Sequence, residues 1–303
     1  MADVREQAAL CALLERVSQR WHVVAALVER AGSALALVRD GVQAVDADEA
    51  EFTAKLVAGV SEADMDRYAT LIARWMEGDI RLVTVLDEDY PLNLQEVYNR
   101  PPFLFIRGDL QSRDSRSVAV VGTRQASEEG RAQARALASG LAEQGVTVLS
   151  GLARGIDTAA HEGALAAGGR TVAVLGAGIR RPIYPAENRE LAQRILDQGA
   201  LVSQFWPDAP PTRATFPLRN ITMSGLALGT VVVEAHGQSG ASLQARRCLE
   251  HGKRLFLVRS LVLHEEWARR YAEHPGVLVV DSAVDVIDVL DELVDPPAQL
   301  TIC

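Results

Sequence analysis

The residues most able to do chemistry in this 303-residue chain sit together in Ser150-Gly151-Leu152-Ala153-Arg154-Gly155-Ile156-Asp157-Thr158-Ala159-Ala160-His161. The stretch sets one cation, one carboxylate and one imidazole among glycines. Gly151 and Gly155 let backbone approach a ligand closely, and the peptide N–H groups at a helix start attract anions. The chemistry on offer is the binding of an anion. The bland alternative is an ordinary strand-to-helix turn in which Arg154 and Asp157 pair with each other.

The elements around this stretch decide between the two. Val146-Thr147-Val148-Leu149 reads as a buried strand, and Thr158 to Ala167 reads as a helix. From Ser117 onward the same unit repeats. Apolar runs at 118–121, 146–149, 171–175, 200–204, 230–233, 254–258 and 277–280 are expected strands. Helical periodicity is expected over 127–143, 158–167, 187–198, 220–228, 242–251, 265–273 and 283–293. Near-continuous Val/Ile/Leu strands alternating with helices predict a parallel sheet covered on both faces, a Rossmann-like doubly wound α/β domain. In such a sheet the strand ends share one rim, where ligands bind.

Six of these strand ends carry unusual residues. They hold Gly122-Thr123-Arg124, the segment 150–161, Gly176 to Arg181 with Tyr184 to Asn188, Phe205-Trp206 with Phe216 to Asn220, Glu234 to Gly240, and Arg259-Ser260. Arg124, Arg154, Arg180, Arg181, Arg219 and Arg259 are expected on one basic rim. Neighbouring glycines and serines supply N–H and hydroxyl donors for phosphate oxygens. Phe205, Trp206 and Phe216 are candidate platforms for stacked bases. This combination fits a nucleotide or a single-stranded nucleic acid.

Charge distribution is consistent with that reading. The chain carries 31 basic and 40 acidic side chains, net −9, but residues 111–260 hold 18 basic and 12 acidic ones. A mildly basic middle lies between acidic flanks. Arginine supplies 29 of the 31 basic residues, which suits paired phosphate contacts, although genome composition accounts for most of that excess.

Other chemistries lack their signatures. No G-x-G-x-x-G follows the first parallel strand, and no G-x-x-x-x-G-K-[ST] occurs, which argues against a dehydrogenase or a P-loop ATPase. The six histidines show no metal spacing, although His161 and His236 are expected in rim turns. There is no G-x-S-x-G elbow. Asp157 and Glu234 are the rim carboxylates to test as a general base, with orienting an arginine or holding a ribose hydroxyl the better assignment. No cofactor, metal site or catalytic constellation is expected, and the protein reads as a non-enzyme.

Composition, 48% hydrophobic and 23% charged, is that of a folded protein. No apolar run reaches the roughly 18–20 residues that span a bilayer. The N-terminus lacks a signal-peptide layout, and three distant cysteines (Cys11, Cys248, Cys303) suggest a reducing cytoplasm. Residues 1–78 read as a small helical domain, with Ser61 capping the last helix through Asp64. Residues 79–116 read as an extension packing on the main domain, which spans 117–303.

The runs 118–124 and 150–161, Gly176 with Tyr184-Pro185-x-Glu187-Asn188, 199–203, Phe216-Pro217-x-Arg219-Asn220 with Gly225-Leu226, and 231–235 followed by Ser239-Gly240 resemble the DNA-processing protein A family (DprA/Smf) in order and spacing. The resemblance covers roughly residues 80–258. It implies a sterile-alpha-motif-like helical domain before an extended Rossmann-like domain. It also implies single-stranded DNA binding, loading of the RecA recombinase during natural transformation and recombination, and homodimerisation.

The implied DNA-contacting residues are Gly122, Thr123, Arg124, Ser150, Gly151, Arg154, Gly155, Asp157, Phe216, Arg219, Asn220, Ser239 and Gly240. Among them Arg124, Arg154 and Arg219 would meet phosphates, and Phe216 would stack on a base. The chain departs from the family at Ile221 and Gln238, where basic residues are usual, and at Arg259-Ser260, where Val-Pro-Gly is usual. It is expected to be a divergent member lacking the family's C-terminal winged helix. The alternative is a nucleotide sensor or phosphoribohydrolase-like enzyme of the same superfamily, with phage defence as one setting.

Overall fold

A computed structural model of the chain describes residues 3–18 and 20–294. Cys303 lies outside the described residues. Five helices come first: α1 (Val4–Glu15), α2 (Trp21–Ala31), α3 (Ala34–Asp40), α4 (Ala47–Ala58) and α5 (Glu62–Glu77). The Ser61 hydroxyl accepts from the Asp64 amide and the Asp64 carboxylate accepts from the Ser61 amide, the reciprocal cap that the sequence indicates. The seven-residue α3, between Gly32 and Gly41, was not anticipated. Its Ser33 cap and the two flanking glycines bound a helix too short to declare a period.

The remaining chain builds one nine-stranded sheet. Its strands are β1 (Arg81–Thr84), β2 (Phe103–Gly108), β3 (Ser117–Val121), β4 (Thr147–Ser150), β5 (Thr171–Val174), β6 (Ala200–Ser203), β7 (Gly229–Val232), β8 (Arg254–Val258) and β9 (Val277–Val280), in the spatial order β1-β2-β6-β5-β4-β3-β7-β8-β9. Strands β3 to β9 are parallel, as the sequence predicts. Residues 79–116 supply β1 and β2, which join antiparallel at the β6 edge. The free edge of β1 is met by α1, whose Gln7 Nε2 donates to Leu82 O and to the Asp87 carboxylate at 3.0 Å each.

Alternation along each strand sends buried side chains to both faces. Val118, Val120 and Val148 pack with Leu137, Ala160 and Leu290 from α7 (Glu128–Glu143), α8 (Ile156–Ala166) and α14 (Ala283–Val294). Ala119, Val121 and Val174 pack on the other face with Met223 of α10 (Thr215–Leu226) and Ala245 of α11 (Gly240–Glu250). The short α6 (Leu92–Gln95) lies beside α10 and α9 (Arg189–Gln198) beside α8, while α12 (Arg259–His264) and α13 (Glu266–Ala272) fill the connection from β8 to β9.

Two helix boundaries correct the sequence reading. The helix expected from Asn220 begins at Thr215, because Pro217 falls in the first turn, where its missing N–H costs nothing. The segment after β8 is two short helices rather than one. The chain moves outward from β3 to β6 and then returns to place β7 beside β3, so the direction of winding reverses at the β3/β7 pair. A crevice opens at such a reversal, beyond the carboxyl ends of the strands.

Candidate nucleic-acid interface

Two adjoining clefts occupy that crevice. One, about 530 Å³, is lined by Gly122, Thr123, Arg124, Asp157, Phe216, Arg219, Asn220, Ser239 and Gly240 among others. The second, about 270 Å³, is lined by Arg124, Gly151, Arg154, Phe216 and Arg219, with Arg181 and Tyr184 from the loop after β5. Arg124, Phe216 and Arg219 border both. The structure therefore brings eleven of the thirteen expected contact residues to one place; Ser150 and Gly155 lie beneath it.

The turn after β4 is built on backbone geometry. Leu152 is fully buried and takes a left-handed φ of 55°. Gly155 (φ 75°) lies against the turn after β3, where a Cβ would come within 2.3 Å of Thr123 O. Only glycine satisfies both demands. Asp157, buried in the first turn of α8, accepts from the Gly151 amide at 3.1 Å and the Ala153 amide at 3.4 Å. Burial raises its carboxyl above the ordinary value, against the pull of the Arg219 charge and these N–H bonds. Arg154 does not pair with Asp157. It reaches across to Glu187, with Nη2 2.9 Å from Oε2.

Arg219 is the cation in the floor. It is 7% exposed, donates Nη1 to Val174 O at 2.7 Å and Nε to Asn220 Oδ1 at 3.1 Å. Among the described residues no carboxylate lies within ion-pair distance. Burial pushes its pKa down, with the Asp157 charge opposing. Asn220 Nδ2 in turn donates to Gly240 O at 3.2 Å and ties α10 to α11. Arg124 is exposed, with its guanidinium carbon 5.0 Å from the centre of the Phe216 ring. A cation is thus poised over the one aromatic ring that both clefts share.

Several expected residues are otherwise engaged. The Ser150 hydroxyl is fully buried and donates to Val120 O at 2.7 Å, so it is turned into the sheet and away from any ligand. Phe205 is buried. Trp206 packs among Tyr68, Trp21 and Phe103, with ring centres 5.6, 6.1 and 4.9 Å away, and is no base platform. His161 lies inside α8 rather than in a rim turn. Its Nδ1 meets Thr171 Oγ1 at 2.7 Å and burial pulls its pKa down to about 3. Arg180 and Arg259 pair with Asp208 and Asp281.

Glu234 caps α7, accepting from the Ser127 amide at 3.0 Å and the Ser127 hydroxyl at 2.8 Å, so neither rim carboxylate faces the clefts as an unengaged base. The Ser239 hydroxyl caps α11. Trp267 of α13 packs under Gly237 and donates to Ala235 O at 3.3 Å, and neither α12 nor α13 lines a cleft. Tyr184 and Glu187 stand in the sequence motif but not among the expected site residues, yet Tyr184 lines the smaller cleft and Glu187 pairs with Arg154. The contact of Glu187 with Arg154 joins residues 33 apart in sequence, which spacing alone does not reveal.

Comparison with known proteins identifies relatives of the whole fold. The model of the DNA recombination-mediator protein A family matches residues 81–274. The chain is 43% identical to Protein Smf of Escherichia coli over 184 residues, 60% of this chain and 49% of that protein. It is 38% identical to DNA processing protein DprA of Streptococcus pneumoniae over 180 residues, 59% of this chain and 63% of that protein. Those matches thus span less than two thirds of either relative. The match to DprA of Bacillus subtilis, 29% identical, covers 98% of this chain and 99% of that one.

Among solved structures, that of Streptococcus pneumoniae DprA superposes with a TM-score of 0.71 at 27% identity, over 95% of this chain and 98% of that one. DNA processing protein A of Helicobacter pylori, solved for its single-stranded DNA binding mode, shares the fold at a TM-score of 0.62 and 24% identity, over 70% of this chain and 95% of that one. A match over most of the sheet, motifs in order and a shared fold lead to one conclusion: the chain belongs to the DNA recombination-mediator protein A family.

Proposed function

We propose that the paired clefts bind single-stranded DNA. The protein, as a cytoplasmic homodimer, protects that strand and loads a RecA-type recombinase onto it during DNA uptake and recombination, with no catalytic step of its own. In this reading residues 1–78 are a separate helical domain, 79–116 an extension, and 117–303 the DNA-holding domain. The observation that carries the reading is Arg219. A desolvated guanidinium without a carboxylate partner is costly, and an anion in the cleft supplies what it lacks. Arg124 over Phe216 adds a second phosphate contact beside a stacking surface, the pairing that suits a strand with unstacked bases.

The test is fluorescence anisotropy with a labelled single-stranded oligonucleotide at two salt concentrations, with duplex DNA and mononucleotides as competitors. Salt-sensitive binding that prefers single strands and survives mononucleotides is the expected result. Failure to bind the strand, or its loss at low mononucleotide, replaces this reading with a nucleotide sensor or phosphoribohydrolase. Loading is read separately, as faster recombinase filament growth on the bound strand.

A further inference from the structure

Among the described residues, the rim arginines divide into two groups. Arg124, Arg181 and Arg219 have no carboxylate partner, whereas Arg154, Arg180 and Arg259 have one each. Of the paired three, only Arg154 lines a cleft. Its partner, Glu187, belongs to a different strand connection and is held near Arg154 through its neighbour in sequence. The neighbouring Asn188 is buried, and its Nδ2 donates to Leu152 O at 3.0 Å and to Thr158 Oγ1 at 2.9 Å. These bonds lock the turn at 186–188 onto the turn that carries Arg154. The pair is open to solvent, with side chains 54% and 53% exposed, and each partner holds the other in its charged form.

A carboxylate that meets a guanidinium through two N–H groups has the geometry of a phosphate doing the same. We propose that Glu187 is an internal stand-in for a backbone phosphate. It keeps Arg154 extended along the cleft while the cleft is empty, and it gives Arg154 up when a strand arrives. This inference rests on the single-stranded DNA reading of the clefts. Glu187 then sets the affinity and its salt dependence without touching the strand. An exposed pair holds weakly, so the exchange is easy. In the free protein the pair is neutral; with a strand bound, Arg154 meets a phosphate while the freed Glu187 carboxylate, left close by, offsets one unit of that neutralisation. Without the carboxylate that offset is gone.

The experiment measures single-stranded oligonucleotide affinity from low to moderate salt for the wild type, Glu187→Gln, Arg154→Ala, the double variant, and Asp208→Asn. The last removes an equal charge from an ion pair that does not line either cleft. Glu187→Gln is expected to bind about two- to fivefold more tightly at low salt, the scale of one exposed ion pair. Its log-affinity against log-salt slope is expected to steepen by about 0.7, the share of one phosphate on a single strand.

The gain is expected to shrink once Arg154 is alanine, and Asp208→Asn is expected to show neither effect. A Glu187→Gln variant with unchanged or weaker binding and an unchanged slope overturns the proposal. So does an equal gain in Asp208→Asn, or a gain undiminished without Arg154, since either reduces it to general electrostatics. Thermal melts check that Glu187→Gln is folded, and Glu187→Ala provides a second variant with the same expected slope. If the wild type does not bind, or Arg124→Ala binds as well as wild type, the strand-binding reading itself fails. If Arg124→Ala weakens binding and Glu187→Gln does nothing, only the role of Glu187 fails.

Discussion

Adding a single methyl group at Gly151 tests the cleft floor without deleting any polar atom. The φ of Gly151 is not left-handed, so alanine is compatible with the backbone there. What forbids it is space: a Cβ would stand 1.9 Å from Arg219 Nη1 and 2.5 Å from Cζ and Nη2. Arg219 cannot stay where it is. Moving it breaks the 2.7 Å bond to Val174 O and takes its charge off the floor. Overpacking costs about 1–3 kcal/mol, and each kcal/mol lowers the melting temperature of a domain of this size class by about 2–4 °C. A misplaced guanidinium forfeits a charge-assisted hydrogen bond to the ligand, about 1.5–3 kcal/mol, which is a loss of roughly 10- to 150-fold in affinity.

Anisotropy with a single-stranded oligonucleotide and a thermal melt read the two effects. The double variant Gly151→Ala/Arg219→Ala sharpens the logic. With no guanidinium to displace, the methyl should cost little, so the two single effects should fail to add. Strictly additive losses, or a Gly151→Ala protein that binds and melts like wild type, would refute the steric account of the floor.

Other expectations follow from the same geometry. Arg124→Ala should weaken binding alike for all sequences and make the salt slope shallower by about 0.7, as befits a phosphate contact; a change confined to particular sequences would point to base readout instead. His161 has its pKa lowered from an ordinary 6.5 to about 3 by burial. The unfolded chain therefore takes up a proton that the folded one resists, and stability is lost as pH falls from 6.5 through about 3. Asp157, with a raised pKa, works in the opposite sense, its stabilisation being lost as pH rises through its folded value. His161→Asn, whose Nδ2 stands where Nδ1 donates to Thr171, should flatten the acid limb of melting temperature against pH, and an unchanged limb would assign it elsewhere. Trp206→Ala should lower stability by about 3 kcal/mol, the lower end for a tryptophan losing its packing. It should also loosen the loop lining the smaller cleft, since Gly178 and Arg180 amides donate to Ala209 O and Pro207 O at 2.9 Å each. Hydrogen exchange at Gly178 and Arg180 reads that directly.

The parallel core was plain in the sequence because its strands are buried on both faces. Val118 to Val121 or Leu255 to Val258 have no polar interruption to confuse with a helix. Motif order located the crevice, since the turns of a parallel sheet must share a rim. What sequence could not tell is which way a side chain turns and whom it meets. Ser150, at the end of β4, was equally good as a ligand donor until its hydroxyl proved to bond Val120 O. Trp206 reads as a stacking platform until Trp21, Tyr68 and Phe103, from distant parts of the chain, are seen around it. Phe216 lies before the helix expected from Asn220, yet the helix starts at Thr215, because its first turn accepts Pro217. Arg154 and Arg259 look alike in sequence, and only their partners separate the one that lines a cleft from the one held at the rim by Asp281.

The antiparallel pair at the sheet edge has a consequence for how the chain leaves the ribosome. Strand β2 hydrogen-bonds to β6, and Gly108 faces Ala200 in that register. About 92 residues must be synthesised between them, which takes about 5–18 s at about 5–20 residues per second. Throughout that interval Phe103 and Phe105 would otherwise be bare. The helices that pack on them are already made: Trp21 stands 5.2 Å from Phe103 and Trp75 5.1 Å from Phe105, ring centre to ring centre. The five N-terminal helices thus cover the aromatic face of β2 before the strand that completes its edge has been made.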